Sequence, residues 1–108
     1  MKKKYVVEWA RPAKLDLFEI ADFIAADSPA SALRISENIK NKTADLHMNP
    51  ERGRVVPELS RHGITAYREL IVSPWRVIYR IVEEKVYIKV VMDGRRNLED
   101  LLFRRLMR

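Results

Sequence analysis

The chain contains no cysteine among its 108 residues. That absence excludes disulfide bonds, cysteine-ligated zinc and thiol nucleophiles, and it is typical of a reducing compartment, so we expect a cytoplasmic location. Glycine is also scarce, and its three copies stand apart at positions 53, 63 and 94, which excludes a glycine-rich phosphate loop. No apolar run approaches the ~20 residues of a membrane-spanning helix, and no signal-peptide apolar segment follows the basic start.

Histidine is equally rare, and its two copies offer no catalytic or metal-binding pattern. His47 and His62 lack the spacing of a zinc site, and no cysteine can complete one. A catalytic serine triad would have to use Ser60 or Ser73, and neither lies in a nucleophile-elbow motif. We therefore interpret both as turn or surface serines. We therefore expect neither a metal nor another cofactor.

The length and charge of the chain point to one basic domain over residues 1–108. A chain of this length forms a single core. Lysine and arginine number 21 against 15 acidic residues, a net charge of +6, and most of the excess lies in residues 51–108. Such a surface favours nucleic acid, an acidic protein or an anionic membrane as partner, although it is also compatible with solubility alone.

The first 48 residues show the pattern of a strand followed by two helices. Alternating apolar residues predict a strand over Tyr5–Trp9. Pro12 opens a helix whose apolar face is wider than one stripe, which predicts contacts on two sides. Ser28 and Pro29 supply an N-cap and a first-turn proline for a second helix, which ends before Asn49-Pro50.

The second half predicts an antiparallel meander and a final helix. Glu51–Gly63 is interpreted as a basic connecting loop, and strands follow over Tyr67–Val72, Trp75–Val82 and Lys85–Met92. In the middle strand the core is expected to take the face of Trp75, Val77, Tyr79 and Ile81. Asn97 can cap the last helix, whose apolar excess suits either docking on the core or binding a partner.

Arginine is the remaining candidate chemistry. Strand positions and the turn after Gly94 could bring several guanidinium groups together on the sheet, where they would bind phosphate or stabilise a phosphorane. The alternative is that these arginines cover exposed sheet surface and pair with nearby glutamates. The candidate target-binding residues are Arg68, Arg76, Arg80, Arg95, Arg96, Arg104 and Arg105.

The order and spacing of these segments resemble the RelE/ParE superfamily of type II toxin-antitoxin toxins, most closely the ParE-like branch of plasmid stabilisation proteins. The resemblance covers nearly the whole chain. It is carried by residues 13–24, Ser28-Pro29, residues 49–54, Tyr67–Leu70, Trp75–Arg80 and residues 93–102. It implies an α+β fold, in which an N-terminal strand and a helical hairpin pack on a twisted antiparallel sheet with a C-terminal helix.

The resemblance also implies two competing activities. ParE-like toxins arrest growth by inhibiting DNA gyrase, whereas RelE-like toxins are endoribonucleases that cleave mRNA on the ribosome. For the nuclease, the family pattern places catalytic arginines at Arg76 and Arg96, and both are present. The family pattern places a tyrosine six residues beyond Arg96, but this chain has Leu102 there, which cannot exchange a proton. Gyrase inhibition is therefore the preferred hypothesis, and under it we expect no enzyme. A member without toxicity is a third alternative.

Both activities imply a cognate antitoxin with an acidic segment that folds over the basic toxin. We expect it to bind the wide apolar face of the first helix, where the candidates are Leu15, Phe18 and Phe23. A dimer or a larger toxin-antitoxin assembly is left open, and no membrane partner is expected.

Overall fold

A computed structural model describes residues 4–95 and 98–107 and places them in one five-stranded sheet with helices on both faces. The strands are β1 (Val6–Trp9), β2 (Arg54–Val55), β3 (Tyr67–Val72), β4 (Trp75–Val82) and β5 (Lys85–Asp93). The α-helices are α1 (Arg11–Ala25), α2 (Pro29–Ala44), α3 (Pro57–Ser60) and α4 (Glu99–Leu106).

The sheet has the order β1-β5-β4-β3-β2, and its antiparallel meander β3-β4-β5 is the one predicted. β1 runs parallel to β5, and the helical hairpin of α1 and α2 connects β1 to β2 at the opposite edge of the sheet. The expected α+β fold is therefore confirmed, with a mixed sheet in place of a wholly antiparallel one. Ser28 caps α2 as predicted, since its hydroxyl accepts a hydrogen bond from the backbone N–H of Ser31 at 3.2 Å.

Both faces of β4 contain buried residues, which differs from the expected single core face. The hairpin face holds Val77 and Tyr79, which pack with Leu17 of α1 and Ile39 of α2. On the opposite face Ile78 is also fully buried, in a second cluster completed by α3 and α4. The members of this second cluster are Val56, Leu59, Tyr67, Ile78, Val90, Met92, Leu98 and Leu102.

Residues 51–63 contain more regular structure than the predicted loop. They include the end of a 3₁₀ turn over Pro50–Arg52, strand β2 and helix α3. Pro57 stands at the first turn of α3, where its missing N–H leaves no bond unmade. The predicted final helix is present as Glu99–Leu106, and its expected cap Asn97 lies outside the described residues.

A register shift between Ile78 and Tyr79 leaves Lys89 of β5 without a partner on β4. β1 pairs β5 only as far as Ile88, so the rest of β5 forms an edge. Two side chains take the place of a neighbouring strand there. Asp16 of α1 accepts from the Val91 N–H at 3.0 Å, and Arg105 of α4 donates to the Lys89 carbonyl oxygen at 3.3 Å.

Candidate functional site

Arg76, the candidate catalytic arginine, is held in a network of ion pairs between β4, β3 and α3. Its terminal nitrogens donate to the two carboxylate oxygens of Glu58 at 2.6 and 2.8 Å, and its Nε donates to Glu69. Arg54 of β2 donates to the other oxygen of Glu69 at 2.7 Å. Arg76 is only 7% exposed and Glu69 1%. We call Arg54, Glu58, Glu69 and Arg76 the charge network.

The pairing of Glu58 with Arg76 favours the ionised form of both groups. Hydrogen bonding from Arg76 lowers the pKa of Glu58 to about 2, against an opposing effect of burial. The same bond to Glu58 raises the pKa of Arg76 further above its usual value. Because two carboxylates already neutralise this guanidinium, an RNA phosphate could bind it only by displacing them, which would leave a buried charge unpaired.

The loop before β2 is fixed by the hydroxyl of Tyr79. This fully buried group donates to the Pro50 carbonyl oxygen at 2.6 Å and accepts from the Gly53 N–H at 2.9 Å. Gly53 is required by this close approach, because a Cβ there would meet the carbonyl oxygen of Glu69 and lie 2.7 Å from the Tyr79 hydroxyl. The contact aligns β2 and so positions Arg54 in the charge network.

The structure does not bring the candidate strand arginines to one point. Arg68 pairs with Tyr79 in the register, and its side chain donates to the Gly53 carbonyl oxygen at 2.8 Å on the hairpin side of the sheet. Arg80 shares the face of Arg76, as its spacing predicts, but it is exposed and lies over the Tyr67 ring at 5.6 Å from the centroid. Of the two, Arg80 is exposed and Arg68 is half-buried.

The candidate arginines that follow β5 also differ in their exposure and in their internal contacts. Arg95 is exposed and donates to the Asp93 carboxylate at 2.9 and 2.7 Å, and Arg96 lies outside the described residues. On α4, Arg104 is exposed, whereas Arg105 donates to Asp16 at 3.0 and 2.9 Å. Leu102 is fully buried in the core between α4 and the sheet.

The candidate antitoxin residues lie on different flanks of α1. Phe18 and Phe23 are 67% and 79% exposed, and five residues of helix separate them by about 140° around the axis. Phe18 lines a groove of about 500 Å³, the α1–α2 groove, whereas Phe23 lines one of about 520 Å³, the α1–α4 groove. Leu15 is 56% exposed between these flanks and lines neither groove.

The two grooves differ in their chemistry. The α1–α2 groove has an apolar floor that includes Trp9 and Leu17, and two lysines, Lys14 and Lys40, line it. The α1–α4 groove combines apolar and charged walls. It is lined by Asp16, Glu19, Ile20, Phe23, Trp75, Val91, Met92, Asp93, Leu98, Leu101, Arg104 and Arg105.

Within residues 4–95 and 98–107, no cluster of three or more acidic or histidine side chains could hold a metal ion. His62 instead bonds Glu99 of α4 and contacts the Phe103 ring edge-on at 5.1 Å. In that same part of the chain, no helix has the length and apolar character to cross a membrane.

Sequence reasoning missed Glu58 and Asp16, the two carboxylates that hold candidate arginines in place. Glu58 fell inside the predicted loop, although Pro57 followed by an acidic residue is a signal for a helix start that could have revealed α3. Asp16 stood within an apolar helix face, and no sequence signal pairs it with a residue 89 positions away.

The fold is shared with solved toxin structures. A structure of the chromosomal ParDE system from P. aeruginosa superposes with a TM-score of 0.68 at 20% identity, covering 83% of this chain and 96% of that one. The RelBE2 toxin-antitoxin complex from Mycobacterium tuberculosis gives 0.61 at 22% identity, covering 83% and 98%.

Sequence comparison goes further than the fold. The family model described as the ParE toxin of the type II toxin-antitoxin system parDE matches residues 7–98. The protein named Toxin RelE2 from Caulobacter vibrioides is 35% identical over 83 residues, which are 76% of this chain and 86% of that protein. The chain belongs to the ParE toxin family of type II toxin-antitoxin systems, within the RelE/ParE superfamily, and the resemblance seen in the sequence is confirmed.

Proposed function

We propose that this toxin arrests growth by inhibiting DNA gyrase and is neutralised by a cognate antitoxin. The observation that supports this choice over mRNA cleavage is the pairing of Arg76 with Glu58 and Glu69. A nuclease needs its arginine open to the scissile phosphate, where charge develops in the transition state. Here that guanidinium is buried and neutralised.

The position of Leu102 supports the same choice. Cleavage of RNA by its own 2′-hydroxyl needs a group that removes or supplies a proton near neutral pH. The family pattern places a tyrosine where this chain has Leu102, which is fully buried among apolar neighbours. The described C-terminal helix, Glu99–Leu106, carries no histidine or tyrosine that could replace it.

Exposed arginines are the proposed contacts with the target. Arg80 and Arg104 have no ion-pair partner within the described part of the chain, and Arg95 is exposed beside Asp93. Cations of this kind attract an acidic protein surface and speed the encounter with it. Three other candidates are held in internal hydrogen bonds, namely Arg68, Arg76 and Arg105. We assign these arginines a structural role and not a contact with the target.

The α1–α2 groove is the proposed antitoxin site. Its apolar floor and the lysines Lys14 and Lys40 fit a helix that carries apolar anchors between acidic residues. Phe18 lies in this groove and Leu15 is exposed next to it on α1. The solved ParDE and RelBE2 relatives are toxin-antitoxin systems, which supports an antitoxin partner for this chain as well.

The test compares the two activities with one protein preparation. We expect the purified toxin to inhibit gyrase supercoiling or to accumulate cleaved DNA, and to leave mRNA intact in a reconstituted translation reaction. Exchanging both Arg95 and Arg96 for alanine should weaken the gyrase effect, whereas Arg34→Ala on the exposed side of α2 serves as the matched control. Codon-specific mRNA cleavage with unaffected gyrase would overturn the proposal in favour of the endoribonuclease.

A second experiment tests the antitoxin groove. Phe18→Asp should abolish complex formation with the product of the neighbouring reading frame, because the bound antitoxin would bury a charge where it now meets an aromatic ring. Phe23→Asp is the matched control on the other flank of α1. An unchanged complex with Phe18→Asp would show that the groove assignment is wrong.

A further inference from the structure

Among residues 4–95 and 98–107, Phe23 is the most exposed large apolar side chain, at 79%, and it stands beside the α1–α4 groove. The groove offers an apolar floor to an aromatic ring, formed by Ile20, Trp75, Leu98 and Leu101. An exposed aromatic anchor next to an unfilled apolar groove is the arrangement of a protein interface centre.

The two walls of the groove carry opposite charges. Glu19 on α1 and Arg104 on α4 are both exposed, and neither forms an ion pair within the described residues. Asp16 and Arg105, deeper in the same groove, are paired with each other. The groove therefore presents one free negative and one free positive charge on either side of an apolar floor.

We propose that this groove is an isologous interface between two copies of the chain. A two-fold axis makes one surface face itself, so the surface must supply both members of every contact. The α1–α4 groove meets that condition. Each copy has a projecting Phe23, a groove that can receive Phe23 of the other copy, and both charges of a Glu19–Arg104 pair. A partner of uniform charge would match one wall and be repelled by the other.

The dimer leaves the α1–α2 groove open, because Phe18 and Phe23 point to different flanks of α1. Each copy could then hold its own antitoxin while paired through the α1–α4 groove. The inference requires no particular target, since it concerns toxin self-association. The dimer pairs Arg104 with Glu19 of the second copy, so Arg80 and Arg95 are then the proposed target contacts that stay exposed.

Charge exchange gives a test that depends on the two-fold geometry. Glu19→Arg alone places two like-charged pairs across the interface, and Arg104→Glu alone does the same with the opposite sign. Mixing the two single variants at equal concentration restores an attractive pair at both positions. Analytical ultracentrifugation of the full chain should give monomers for each variant and a heterodimer for the mixture. The dimer dissociation constant should rise at least about tenfold in each variant, as expected for a like-charge contact.

Phe23→Asp is the second measurement, with Phe18→Asp as its matched control. The first should raise the dimer dissociation constant by about 30-fold or more, as for loss of an aromatic anchor, while the second leaves it unchanged. A wild-type chain that stays monomeric at about 200 μM, well above the micromolar range of ordinary specific association, would overturn the proposal. So would a mixture that remains monomeric, or equal effects of the two phenylalanine variants.

Discussion

Asp16 and Arg105 join the first helix to the last across the edge of the sheet. The Arg105 guanidinium donates to both carboxylate oxygens, at 3.0 and 2.9 Å, while Asp16 also accepts from the Val91 N–H. Their side chains are 16% and 29% exposed. The pair thus supplies hydrogen-bond partners to the backbone of the exposed edge of β5. It also holds α4 over the second cluster.

Asp16→Asn should lower the free energy of unfolding by about 1–3 kcal/mol, because it removes the charge from a bidentate, partly buried pair. Hydrogen exchange at the Val91 amide should accelerate as the edge opens more often. Chemical denaturation followed by circular dichroism measures the first effect, and exchange followed by NMR measures the second.

The matched control for this change is Asp22→Asn, an exposed position on the same helix. It should alter the free energy of unfolding by no more than about 0.5 kcal/mol. Equal effects at positions 16 and 22 would contradict a structural role for the pair with Arg105.

Glu58→Gln should destabilise the protein at neutral pH and have little effect in strong acid. The pKa of Glu58 is lowered from 4.5 to about 2, so its stabilisation is complete above pH 4.5 and is lost as the pH falls towards 2. By linkage, that difference amounts to at most about 3 kcal/mol. Urea unfolding gives the free energy of unfolding of wild type and variant at pH 7 and at pH 3. The difference between the two proteins should be about half as large at pH 3 as at pH 7.

The control for the acid series is Glu37→Gln, on the exposed side of α2. Its unfolding should follow the wild type at both pH values. A Glu58→Gln gap that stays constant with pH would argue that lost packing, and not the ion pair with Arg76, causes the destabilisation.

Tyr79→Phe should lower the free energy of unfolding by about 1–3 kcal/mol, because it leaves the Gly53 N–H and the Pro50 carbonyl without their buried partner. The melting temperature measures this cost. Tyr87→Phe is the matched control, since that ring is only partly buried, and it should melt close to the wild type. An unchanged Tyr79→Phe protein would show that the hydroxyl is not needed to fix the loop.

Leu102→Tyr should destabilise the protein without creating a ribonuclease. Leu102 is fully buried, so a larger ring overpacks the core at a cost of about 1–3 kcal/mol, and its hydroxyl loses water. Thermal unfolding checks the stability, and mRNA integrity during translation checks the activity. Leu102→Met, a volume-conserving control, should stay within about 1.5 kcal/mol. Cleavage gained by Leu102→Tyr would revive the nuclease reading.

Local sequence patterns predicted most of the secondary structure. β3 and β4 begin and end where the β-branched and aromatic runs do, and α2 begins at Pro29 because Ser28 caps it. These features depend on neighbours within a few residues, so they can be inferred from one sequence. The parallel alignment of β1 depends on how the hairpin packs, which no local pattern specifies.

The candidate site was less predictable for the same reason. The sequence places Arg76 and Arg80 on one face, and the structure agrees. The sequence cannot tell that Glu58 and Glu69 neutralise Arg76, whereas Arg80 has no ion-pair partner among the described residues. Likewise the wide apolar face of α1 was evident, but its division into two grooves depends on α2 and α4. Contacts between residues far apart in sequence decide which charges and rings are available.

The charge network holds two positive and two negative groups, so it contributes nothing to the +6 charge of the chain. The excess charge is carried by residues outside that network, among them exposed cations such as Arg80 and Arg104. Dissolved ions screen exposed charges beyond about 8 Å at physiological ionic strength, but act far less on buried pairs. Added salt should therefore slow the encounter with an acidic partner while leaving the pairs of Arg76 with Glu58 and Glu69 almost unaffected.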